Sequence, residues 1–182
     1  MIKLFEKCIG EKEVNGNTYR IYINNTIFAM NLKVMFEYKD VTADVIMIRE
    51  EPGKDYSDIL SCLDIEDMEE KYPDVIACSA TMDINTRGLL LPPDNMGHIT
   101  IKDLYKKDDI SDDILKYFIE GIINKFYNKS YLILISNPED KFIGTFKDIG
   151  FIEADNDFLV YDKNDSFTVS YENLLDKLKD NA

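Results

Sequence analysis

The chain has no tryptophan, one histidine, three cysteines and only three arginines in 182 residues, and each shortage closes off a class of chemistry. A histidine-based metal cluster cannot be built from His98 alone. Cys8, Cys62 and Cys78 lie far apart with no CxxC pair, so a zinc cluster is excluded and structural thiols of a reducing compartment are expected. Arg20, Arg49 and Arg87 stand against 18 lysines, which leaves few bidentate clamps for phosphate. No apolar run approaches the roughly 18 residues of a membrane span. The segment from Met1 to Lys7 is too short and too charged for a signal peptide. A cytoplasmic protein with no membrane partner is the expectation. Walker A, GxGxxG, HExxH and nucleophile-elbow patterns are all missing. The acid clusters around Asp64 to Asp67 and Asp155 to Asp157 lack the spacing and glycine of a calcium loop, so no metal site is expected.

What the chain has in excess is negative charge. Its 35 acids against 21 bases give −14, a field that repels nucleic acid and anionic membranes and attracts basic proteins or cations. Plain solubility is the other reading of the same surplus. The charge is densest from residue 50 to 74, where ten acids face two bases, Lys54 and Lys71. Tyr56, Ile59, Leu60, Leu63 and Met68 recur there at helical spacing, which predicts an amphipathic helix from about 55 to 71. Its wet side would carry Asp55, Asp58, Glu66, Asp67, Glu69 and Glu70. Like charges at i,i+3 and i,i+4 cost a few tenths of a kcal/mol per pair. Either a solvated helix face or a basic protein partner accounts for keeping them. Abundant Ile, Asn, Lys and Asp also match AT-rich coding, as in low-GC bacteria and their phages.

With 45% hydrophobic residues the chain can bury an ordinary core. It has no repeats or linkers, so residues 1–182 read as one domain, with 163–182 as a carboxyl-terminal strand and helix extension. After a short amphipathic start, Asn15-Gly16-Asn17 signals a turn. Tyr19 to Ile23 alternates as a strand. Leu32 to Glu37 and Val41 to Arg49 read as a hairpin joined across Tyr38-Lys39-Asp40, and Val75 to Met82 as a further strand. A loop follows from Asn85 to Asn95, with three leucines bounded by Pro92-Pro93. His98 to Tyr105 alternates again. Ile114, Leu115, Phe118, Ile119, Ile122, Ile123 and Phe126 mark a helix capped by Ser111. Tyr131 to Ser136 is a buried, parallel-type strand. Asn137-Pro138 opens a helix with proline at its first position, and Phe142, Phe146 and Ile149 form that helix's apolar face. Gly150-Phe151 ends it, and Phe151 to Glu153 with Phe158 to Tyr161 make a closing hairpin.

This order resembles the carboxyl half of acyl-CoA-dependent N-acetyltransferases of the GNAT superfamily. The likeness covers the last ~85 residues, and Lys147-Asp148-Ile149-Gly150-Phe151 matches the family's helix-closing signature. The resemblance implies an α+β fold of three-layer type, with a mixed, mostly antiparallel central sheet flanked by helices. It also implies a site for acetyl-CoA. Two departures bear on that site. Family members cradle the CoA pyrophosphate in a glycine-rich loop at a helix N-terminus. Here the loop reads Lys106-Lys107-Asp108-Asp109-Ile110-Ser111-Asp112-Asp113, and four carboxylates would oppose a phosphate by on the order of 1–4 kcal/mol per close pair. The position of the usual general-acid tyrosine is Phe146.

The resulting expectation is a non-catalytic, acidic GNAT-like protein that uses no cofactor. It would bind, and inhibit or regulate, a basic protein that handles nucleic acid, in the manner of a phage regulator of host transcription or defence. It would not bind nucleic acid directly. The protein-binding surface would comprise the helix acids named above together with Asp108, Asp109, Asp112 and Asp113. The alternative is a divergent N-acetyltransferase, with Asp103 or His98 as base and Ser111 and Asn137 holding acetyl-CoA.

Overall fold

A computed structural model describes residues 5, 7–24, 39–61, 65–86, 98–126, 132–155 and 157–161. They form an α+β fold around one eight-stranded sheet, with four helices among the described residues. The strands are β1 (Lys7–Val14), β2 (Asn17–Ile23), β3 (Lys39–Glu50), β4 (Ile76–Thr86), β5 (His98–Lys106), β6 (Leu132–Ser136), β7 (Phe151–Asp155) and β8 (Phe158–Tyr161). The helices are α1 (Ser57–Leu60), α2 (Ile65–Lys71), α3 (Asp112–Phe126) and α4 (Asp140–Ile149). Spatial order across the sheet is β1-β2-β3-β4-β5-β6-β8-β7. Every neighbouring pair is antiparallel except β5 and β6.

The strand alternation explains the layering, because successive side chains leave opposite faces of a sheet. On β2 and β3, Tyr19, Ile21, Ile23, Val45 and Met47 join one buried cluster with the apolar stripe of α3 and with Phe142 and Phe146 of α4. Tyr22, Ile46 and Ile48 point the other way and meet Ile59 and Leu60 of α1 and Met68 of α2. Helices therefore cover both faces. Seven residues of α3, from Ile114 to Phe126, are buried, each contributing on the order of 1.5–3 kcal/mol of transfer free energy. Asp112 and Asp113 in its first turn and Lys125 in its last match the helix dipole.

The β1–β2 hairpin turns on Asn15 and Gly16, with φ of 51° and 82°. Positive φ at both central residues is the geometry that asparagine and glycine favour in tight hairpins. Residues Lys7–Val14 thus form a strand, β1, whose polar sequence KCIGEKEV carries little apolar alternation.

Several sequence readings change. Lys39 and Asp40 are not a turn: they begin β3 and pair with Thr86 and Asn85 of β4. The helix expected over about 55 to 71 is two short helices. The first starts at Ser57, because the Asp55 carboxylate accepts bonds from the Ser57 N–H at 2.9 Å and hydroxyl at 2.5 Å. Pro138 is not the first residue of its helix. Glu139 is the N-cap of α4, and the chain ahead of it is turned by Asn137, with φ of 47° and its N–H held by the Asp157 carbonyl at 2.8 Å. The loop read from Asn85 begins later, because Asn85 and Thr86 still belong to β4 and pair with Asp40 and Lys39 of β3. Its remainder from 87 to 95, the strand read at Leu32 to Glu37 and the extension over 163–182 lie outside the described residues.

Candidate functional site

Two places collect the residues singled out by sequence: the turn leading into α3, and the ends of the one parallel strand pair. The turn from Lys107 to Ser111 closes on itself. The Ile110 N–H donates to the Lys107 carbonyl at 3.0 Å, and the Lys106 ammonium donates to the Ile110 carbonyl at 2.6 Å. Between these bonds the Ile110 side chain is driven into the core, only 3% exposed. Ser111 caps α3, its hydroxyl accepting from the Ile114 N–H at 3.4 Å. An apolar anchor thus sits where a glycine-rich cradle would leave backbone donors open to a ligand.

The four aspartates of this turn are not alike. Asp108, Asp112 and Asp113 are exposed. Asp109 is held by the Arg49 guanidinium at 3.0 Å and the Lys107 ammonium at 3.0 Å. Those two cations, Arg49 first, hold its carboxyl below the usual range. The field at the turn is therefore less negative than four isolated carboxylates would make it. The cations that soften it are already occupied by Asp109.

Arg49 and Lys107 also reach the second acidic segment. Arg49 donates to the Asp74 carbonyl at 3.1 Å, and Lys107 lies 3.7 Å from the Asp74 carboxylate. The turn after α2 and the turn before α3 therefore abut. On α1 and α2, Asp58, Glu66, Asp67 and Glu70 are exposed. Asp55 is exposed but engaged with Ser57. Glu69 departs from the expected wet face: it is half-buried and accepts a bond from the Ser79 hydroxyl of β4.

The other place begins at a bulge. Ser79 of β4 pairs with Tyr105, and Thr81 with Lys102, so Ala80 alone faces Asp103 and Leu104. Asp103 adopts φ of 51°, which bends β5 away from its course. β6 follows β5 only from Leu132 to Ile135, opposite His98 to Ile101. Beyond Ile101 the two parallel strands part. The gap is a cleft of about 330 Å³. Its apolar wall includes Ile101, Leu104, Ile135, Phe142 and Phe146, and its polar lining includes Lys102, Asp103, Ser136, Asn137 and Glu139. Crevices at the carboxyl ends of parallel strands are a usual place for ligands.

The structure thus brings Asp103 and Asn137 to one cleft. His98 opens β5 at the far end, five residues before Asp103 and so roughly 16 Å away along an extended strand. The two candidate bases do not share a site. Ser111 belongs to the closed turn. Phe146 is fully buried, its ring 5.6 Å from Phe151 and 6.5 Å from Phe142. Cys78 lies in the core, where burial pushes its thiol up to about 12. Among the described residues no group of three or more His, Cys, Asp or Glu is placed to hold a metal ion, and no helix is long and apolar enough to cross a membrane.

Sequence reasoning missed Arg49, Asp74 and Lys107 as the link between the acidic segments. Arg49 and Asp109 are 60 residues apart, and no local pattern joins them. The scarcity of arginine was the only available signal. Comparison with known proteins finds no matching family model, no matching curated protein and no matching solved structure.

Proposed function

We propose that this chain is a non-catalytic protein on a GNAT-like scaffold, and that it works by binding a basic protein through its acidic side. One observation carries the reading. The turn after α2, at Asp74, and the turn before α3 meet at the Arg49–Asp109–Lys107–Asp74 bridge, so two sequence-distant acidic segments abut there. Bridging cations fix both turns in place while Asp58, Glu66, Asp67, Glu70, Asp108, Asp112 and Asp113 remain exposed. Carboxylates so held can stand in for phosphates against a nucleic-acid-handling surface and block it, as a phage regulator of host transcription or defence would. Apolar contacts would supply most of the affinity, and the charge would speed and orient encounter.

The test is capture on the immobilised chain, followed by association kinetics with the captured basic protein. The triple variant Asp58→Lys, Glu66→Lys, Glu70→Lys is expected to slow association by about tenfold or more and to flatten its salt dependence. Equal rates for variant and parent at every salt concentration would remove the acidic side from the account.

The cleft between β5 and β6 favours a second reading, a divergent N-acetyltransferase with acetyl-CoA as donor. The closed turn at Ile110 weighs against it, because the pyrophosphate would find no open cradle beside the cleft. The uptake of acetyl-CoA separates the two readings.

A further inference from the structure

We draw no further inference here: the strongest candidate, the apolar row of Leu134, Val160 and Ile152 across β6, β8 and β7 on the sheet face turned from the main core, carries nothing because nothing among the described residues shows what covers it.

Discussion

Replacing Ile110 with alanine tests whether the turn before α3 is anchored or merely folded over. The side chain is 3% exposed and packs in the main core cluster. Ile110→Ala removes three carbons, worth about 2–2.5 kcal/mol at ~0.8 kcal/mol per buried carbon. A residual cavity adds to that, and large-to-small core changes of this type span roughly 2–5 kcal/mol. A turn can settle more easily than a strand, so about 3 kcal/mol is expected. That is a large share of a total stability of about 5–15 kcal/mol. In urea, with a slope of about 2 kcal/mol/M, the midpoint should fall by roughly 1–1.5 M with the slope unchanged. Lys106→Met removes the donor to the Ile110 carbonyl and should cost about 1–2 kcal/mol. Combined with Ile110→Ala its effect should be less than additive, because both act on one closure. A midpoint shift below about 0.3 M for Ile110→Ala would refute the anchor, and with it the reason for a closed turn.

Three further outcomes follow from the same structure. Phe146→Ala empties the space between Phe142 and Phe151 and should cost about 3–5 kcal/mol by denaturant unfolding. Gly150 caps α4 with φ of 122°, so Gly150→Ala should destabilise by more than about 1 kcal/mol in the same assay although space is available for the methyl group. Asp109 has its folded-state pKa lowered by Arg49 and then Lys107. Its contribution is therefore present above the unfolded-state value of about 3.9 and is lost as pH falls through the folded value. The pair is half exposed, which reduces the effect to a few tenths of a kcal/mol. Asp109→Asn should make the stability curve slightly flatter below about pH 4 and leave its slope near neutrality unchanged.

The elements that sequence disclosed are those whose apolar period is dense and local. The stripe from Ile114 to Phe126 fixed α3, and the run Ile133 to Ile135 fixed β6, because each buries its own residues against neighbours whatever the rest of the chain does. Asn15-Gly16 and Gly150 were readable for a different reason: their positive φ restricts which residues can stand there. What escaped depends on partners far along the chain. The bulge at Asp103 exists only in the register of β5 on β4. Lys39 and Asp40 became strand because β4 offers them partners. The inward turn of Glu69 needs Ser79. At the candidate site the acids themselves were visible in the sequence. Their pairing was not, so the turn was expected to be more negative than Arg49 and Lys107 leave it.

The account stands on the closed turn at Lys107 to Ser111, and titrating the chain with coenzyme A by calorimetry, with amide shifts read in parallel, tests it most directly. No heat and no shifts at residues 110–113 are expected up to about 1 mM ligand. A dissociation constant in the micromolar range, with those amides moving, would mean that the turn opens to grip a pyrophosphate and would contradict the account.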